Sequence, residues 1–398
     1  MEKELGFWNF IKGVGLDLAA GGIILVLVFF MTLVMGTLFV LIAIFGESMA
    51  LLGTIVTISL LPVFIIGGLF LNIHLTRIIR RSRNPLLKRF RERTLPYSEY
   101  SSGYRTRYIL QRIVSLTIMV GLFLICTIFV ALTLSIPLLC CLLFPVVYPA
   151  LLASIALPAV AWVVFTYAFD PYEPEPRSFL ILGLFWGMLS TFPSLFLNTY
   201  NDTWMPSVGL STAVVSAPVF EELFKAIGFV LIFSQIKDET DGIIYGATFG
   251  AGFALLENVL YSANGILLSD GNPAITYTIL ILFRSFFNMV VHMIGPVLIG
   301  FLIGSIRARQ CRDIDSCGSK LPMTAFLLLV IPIGYLFAVL NHALWNYIAG
   351  FNSLLSIAIL MLIGGAEACL FVAFVLLGYV QATNRYLKNN PMSNPGGI

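Results

Sequence analysis

Long apolar runs, broken by short polar or Gly/Pro-rich stretches, dominate the chain from end to end. A run of about 20 apolar residues, rising about 1.5 Å each as a helix, crosses the roughly 30 Å hydrocarbon core of a bilayer. The pattern predicts ten such helices, at about 18–45, 50–75, 113–136, 142–168, 178–199, 209–234, 242–267, 275–305, 323–349 and 353–381. The stretch 135–149 is apolar throughout and broken only by Pro137, Pro145 and Pro149, which predicts a tight helix-turn-helix.

Composition agrees with this reading. Hydrophobic residues make up 59% of the 398 and charged residues 11%, against about 25% charged in soluble domains. The class is therefore an all-α polytopic protein, integral to the cell membrane. Charge placement sets the orientation. Residues 77–112 hold eleven Arg/Lys against Glu92 and Glu99, and the 307–320 loop and the tail are basic too. The alternate loops near Glu47, Asp202 and Asp270 have no Lys or Arg. The positive-inside rule then puts both termini in the cytoplasm. Three parts are expected: a four-helix N-terminal module over 1–168 with its basic loop at 76–112, a second membrane domain over 169–381, and a cytoplasmic tail over 382–398. The rigid acidic turn 170–177, with three prolines, separates the first two. No cleavable signal peptide is expected. The basic loop lacks interleaved aromatic residues and reads as a topology determinant near anionic lipid, not a nucleic-acid surface. The six cysteines fall in spans or cytoplasmic loops, so no disulfide framework is expected.

The chemistry lies in polar groups that such a chain should exclude. Pro218–Lys225 puts Glu221, Glu222 and Lys225 inside the sixth run, each costing about 2.5–3.5 kcal/mol at the bilayer centre. The seventh carries Glu257 and Asn258, with Tyr261 one turn on. In the eighth, Arg284, Asn288 and His292 recur every four residues, which places them on one helix face. The ninth has Asn341, His342 and Asn346, and the tenth Glu367. A buried Glu–Lys or Glu–Arg pair can simply lock helices together, and that is the simplest reading of Lys225, Arg284 and Glu367. Asp17 and His74, near span ends, are expected to reach the interface. Two adjacent glutamates, a third mid-span, and His342 one turn before Asn346 ask for more than packing.

At these residues the chain resembles the PrsW family of intramembrane proteases, a branch of the group that includes the CAAX prenyl endopeptidases and bacteriocin-processing relatives. The resemblance covers about 160–350. It rests on Glu-Glu-x-x-Lys at Glu221–Lys225, Phe-Ala-x-x-Glu-Asn-x-x-Tyr at Phe253–Tyr261, the Arg284–His292 stretch, and His-Ala-Leu-Trp-Asn at His342–Asn346. CAAX-type relatives carry Arg after the paired glutamates and His where Glu257 stands, so this chain matches the PrsW variants. The family implies hydrolysis of a peptide bond of a membrane protein or membrane-associated peptide, such as an anti-sigma factor.

The residues support a matching chemistry. Water is a poor nucleophile at neutral pH, so a carboxylate must take its proton, with Glu221 first choice and Glu222 its neighbour. Glu257 assists, His342 and Asn346 are placed to stabilise an oxyanion, and His292 completes the water site or the oxyanion hole. Lys225, Asn258 and Arg284 support them. No metal or other cofactor is required in this reading. The rival enzyme is a zinc protease using Glu221 or Glu222, Glu257, His292 and His342, although the chain has no His-Glu-x-x-His. A non-catalytic scaffold of the same superfamily and an ion-coupled transporter are the rivals outside enzymology.

Overall fold

The structure, a computed structural model, describes residues 2–45, 102–170, 175–267, 271–310, 326–351 and 353–389. The second predicted span, most of the basic loop, His74, Cys311 and Cys317 lie outside the described residues. Within them the regular structure is helical throughout: α1 (Glu2–Phe45), α2 (Ser102–Leu134), α3 (Pro137–Leu142), α4 (Phe144–Ala168), α5 (Arg177–Asp202), α6 (Ala217–Ile232), α7 (Glu239–Leu267), α8 (Pro273–Phe283), α9 (Met289–Gln310), α10 (Leu336–Ala349) and α11 (Leu354–Asn389). Seven described stretches are long and apolar enough to cross a membrane: Val14–Val34, Tyr108–Leu134, Phe144–Ala168, Arg177–Asp202, Glu239–Ile266, Pro273–Arg309 and Leu354–Arg385. Outward apolar side chains such as Ile125, Leu132, Leu340 and Leu362 give the bundle a surface suited to lipid. The protein is a multi-pass integral membrane protein.

The sixth and ninth predicted spans are interrupted helices. Thr212–Ser216 forms a π-turn before α6, and a 3₁₀ turn, Phe233–Gln235, follows it. Phe326–Tyr335 is π-helical before α10. A third π-segment, Arg284–Asn288, joins α8 to α9 inside one long span. Hydropathy averages over windows and does not register such breaks. π-turns widen the helix and re-aim side chains, and they concentrate at functional sites. The proline-rich stretch after α2 folds as expected, with a bend, the short α3, and α4 beginning at Phe144.

α7 is the axial helix. It is 83% buried over its span, against 28% for α2 and α11, and it packs on α4, α5, α8, α9 and α11. Glycines explain how closely α9 approaches. A Cβ on Gly242 would lie 1.9 Å from the Gly300 carbonyl oxygen, one on Gly246 2.4 Å from that of Pro296, and one on Gly250 2.3 Å from that of His292. Each step of four along α7 meets a step of four back along α9, so the antiparallel register is set turn by turn. On the far side, a Cβ on Gly187 of α5 would lie 2.3 Å from the Phe249 carbonyl oxygen. Small residues let helix backbones touch where lipid supplies no hydrophobic drive to associate.

Polar ties close the end of the bundle where α1, α2 and α5 begin. Asp17 is buried there, accepting from Arg112, from Ser115 Oγ at 3.0 Å and from Arg177 Nε at 2.9 Å. The expectation that Asp17 reaches the interface is therefore corrected: two guanidiniums compensate its charge inside the protein. The Arg112 guanidinium also stacks over the Tyr108 and Tyr167 rings. Arg385, near the end of α11, pairs with Asp238 and Glu239 at the start of α7.

The seam makes a direct prediction. Gly246→Ala inserts a methyl against the Pro296 backbone and is expected to cost about 1–3 kcal/mol, the usual range for overpacking. Gly22→Ala, with no described residue within 4 Å of its Cβ, should cost little. Thermal unfolding in detergent reads both, and equal melting temperatures would contradict the close-packed register.

Candidate functional site

α6 opens with Pro218 in its first turn, where a missing N–H leaves no bond broken. Glu221, Glu222 and Lys225 follow within two turns, all buried. The adjacent carboxylates take different environments. Glu222 Oε1 accepts from Lys225 Nζ at 2.5 Å and from His342 Nδ1 at 3.0 Å. Its charge is met by a cation and held across from α6 to α10.

Lys225 also fixes His292. Its Nζ lies 3.2 Å from His292 Nδ1 and 4.7 Å from the centroid of the Phe253 ring. An ammonium has no lone pair to offer, so His292 Nδ1 is the acceptor and Nε2 carries the hydrogen. That Nε2 lies 2.7 Å from Glu257 Oε2. The same oxygen accepts from Arg284 Nη2 at 2.6 Å and Asn288 Nδ2 at 3.3 Å. The Arg284–Asn288–His292 stripe thus converges on one carboxylate, and the π-segment at 284–288 carries its first two members. Arg284 Nε further donates to Asn258 Oδ1 at 2.7 Å, and the guanidinium sits 3.8 Å from the centroid of Tyr261.

Glu221 is left comparatively free. Its Oε1 accepts from Asn198 Nδ2 at 3.2 Å, while Oε2 has no hydrogen-bond partner among the described residues. Oε2 faces His342 Nε2 at 3.7 Å, too long for a direct hydrogen bond and a span that one intervening atom can bridge. The His292 and His342 rings meet edge to face, centroids 4.9 Å apart.

The structure therefore brings Glu221, Glu222, Lys225, Glu257, Asn258, Arg284, His292 and His342 into one connected cluster. Asn346 stands one turn beyond His342, and its Nδ2 donates to the Ala213 carbonyl oxygen at 2.8 Å, which ties α10 to the π-turn before α6. Glu367 is buried on α11 beside Asn341, outside the cluster. Sequence reasoning missed Asn198 and Ser216. Asn198 stands at the end of its expected span and Ser216 two turns inside the next, where a small polar residue draws no notice, and only the fold turns them towards Glu221.

Residues 175–379, just over half the chain, match the family model described as PrsW family intramembrane metalloprotease. The chain belongs to the PrsW family of intramembrane proteases. Protease PrsW of Geobacillus kaustophilus is 30% identical over 163 residues, 40% of this chain and 67% of that protein. Protease PrsW of Bacillus subtilis is 27% identical over 164 residues, 40% of this chain and 69% of its own length. No solved structure matches the chain. Membership makes this PrsW-family protein a peptidase.

The family description implies a metal ion, and the residues fit one. Glu221, His292 and His342 are buried and offer ligand atoms within 4.8 Å of one another. Two imidazoles and a carboxylate are a common zinc set. Glu221 Oε2 is an orphaned buried oxygen, and a Glu222-bound Nδ1–H on His342 leaves Nε2 free as a ligand, the usual outer-shell arrangement. His292 fits with one change, since both its nitrogens are bonded within the protein and a cation would take the place of one partner.

Stability should separate the adjacent glutamates. Glu222→Ala leaves Lys225 buried without its carboxylate and is expected to cost about 3–5 kcal/mol. Glu221→Ala removes a single bond from Asn198 and is expected to cost about 1 kcal/mol. Detergent melting curves measure both, and equal losses would contradict the division of roles.

Proposed function

We propose that this PrsW-family protease hydrolyses a peptide bond of a membrane protein or membrane-associated peptide with water activated by Glu221. The free Glu221 Oε2, buried and facing His342 Nε2, carries this reading. Water between the two loses a proton to Oε2 as its oxygen attacks the scissile carbonyl carbon. The carbonyl π-electrons move to oxygen. Glu221 then delivers the proton to the departing amide nitrogen, the C–N bond breaks, and the products are a carboxylic acid and an amine.

His342 serves the developing oxyanion. Its Nδ1–H is committed to Glu222, and when the ring is protonated Nε2–H points to the reaction side. Asn346 anchors the turn that leads into α6, and its second amide N–H is the remaining oxyanion donor. Glu257 acts through His292, holding its ring and tautomer, with Arg284, Asn288 and Asn258 holding Glu257. Lys225 balances Glu222. The first spans, 1–168, form an extra N-terminal module to which the family assigns no role, 169–381 the catalytic domain and 382–398 a cytoplasmic tail. The charge pattern supports ten spans with both termini in the cytoplasm. The substrate class includes a single-span protein such as an anti-sigma factor.

The ligand cluster favours a second reading. A divalent cation held by Glu221, His292 and His342 would supply Lewis-acid polarisation of the carbonyl and a more acidic water. The readings differ at His342, which must offer a lone pair at Nε2 to a cation but a hydrogen to an oxyanion.

Solubilised full-length protein, incubated with a pool of single-span membrane peptides and read by mass spectrometry, tests both. Glu221→Gln should abolish cleavage; wild-type turnover would remove Glu221 from the mechanism. His342→Ala should slow cleavage roughly 100- to 1,000-fold, the effect of deleting one oxyanion donor. Full activity after stripping divalent metal would eliminate the cation reading. Loss restored by added zinc would eliminate the metal-free one.

A further inference from the structure

We propose that Asn198 is a positioning residue for Glu221, held in the working orientation by a one-directional hydrogen-bond relay from the loop at the opposite end of the bundle from Asp17. The proposal rests on the reading of Glu221 as the base. The relay starts at the indole of Trp204, which is 45% exposed. Trp204 Nε1 donates to Asn201 Oδ1 at 3.2 Å, and Asn201 Nδ2 donates to Ser216 Oγ at 2.8 Å. Ser216 Oγ donates to Asn198 Oδ1 at 2.9 Å, and Asn198 Nδ2 donates to Glu221 Oε1 at 3.2 Å. Four parts of the chain contribute: α5, the loop after it, the π-turn and α6.

Proton counting fixes the direction. A hydroxyl has one hydrogen. Because Ser216 Oγ accepts from Asn201, that hydrogen is directed to Asn198 Oδ1. Asn198 is thereby turned with its NH₂ facing Glu221; the flipped amide would set oxygen against carboxylate and leave the Ser216 hydrogen facing a donor. Ser216, helical in backbone and last in the π-turn that leads into α6, makes no side-chain cap there, and its hydroxyl is given to the relay. Hydrogen bonds aligned in this way polarise one another. The result is a carboxylate with one oxygen held and the other free, which decides which oxygen meets water. Ser216 thus acts on Glu221 without touching it.

The test uses full-length protein in detergent and one peptide cleaved by the wild type. Asn198→Ala should lower kcat roughly 10- to 100-fold, the range for one hydrogen bond to a charged group, with KM within about twofold. Asn198→Asp keeps the acceptor for Ser216 but opposes Glu221 with a second carboxylate, and should fall at least as far. Ser216→Ala should lose less, Ser216→Thr should recover most of that loss, and Ser216→Ala with Asn198→Ala should be no slower than Asn198→Ala alone. Melting temperatures identify any variant that loses rate by unfolding. Unchanged kcat in Asn198→Ala, multiplying losses in the double variant, or no rescue by threonine would overturn the relay. If these occur while Glu221→Gln is inactive, the relay fails and the base assignment stands. If Glu221→Gln cleaves normally, both fall.

Discussion

Backbone contact between α7 and α9 is the constraint on which the site depends. Gly242, Gly246 and Gly250 let the axial helix lie against the carbonyls of Gly300, Pro296 and His292. Once that register is set, His292 has no freedom to slide. The next turns bring Glu257 opposite the Arg284–Asn288 segment, so three donors reach one oxygen. A larger residue in the seam would separate the backbones by ångströms, and hydrogen bonds of 2.6–3.3 Å do not survive such a shift. A glycine stripe without polar chemistry of its own therefore fixes the geometry of the buried polar cluster.

Charge compensation within this frame is uneven. Glu222 meets Lys225 and His342, and Glu257 meets Arg284, Asn288 and His292. Their buried carboxylates are thereby made affordable in a low-dielectric interior. Among the described residues Glu221 receives one hydrogen bond, from the neutral Asn198 amide. An oxygen that fixed its helix would be bonded; Glu221 Oε2 is buried and free. Lys225 and Arg284 bond the neighbours directly, while Glu221 Oε2 meets only His342 Nε2 at 3.7 Å among the described residues.

The membrane class was legible in long apolar runs, and most of the site was legible because buried charge in such runs is costly and therefore conspicuous. The four-residue spacing of Arg284, Asn288 and His292 gave their common face, and the structure adds the acceptor they share. Less visible were features that depend on local backbone rather than on composition. The interruptions at Thr212–Ser216 and Phe326–Tyr335 keep hydropathy high while changing the helix. Asn198 looks like an interfacial polar residue and Ser216 like an ordinary small one until α5 and the π-turn turn them inward. Asp17 looks equally peripheral, and its partners Arg112 and Arg177 lie far away in sequence.

The central claim is that the unpartnered oxygen of Glu221 activates water against a membrane-protein substrate. The direct measurement is a quantitative comparison of membrane-protein fragments in cells carrying the wild type or Glu221→Gln at equal levels. New termini within or beside a transmembrane segment, present with the wild type and absent with the variant, are the predicted result. The same fragments in both cells would contradict the account.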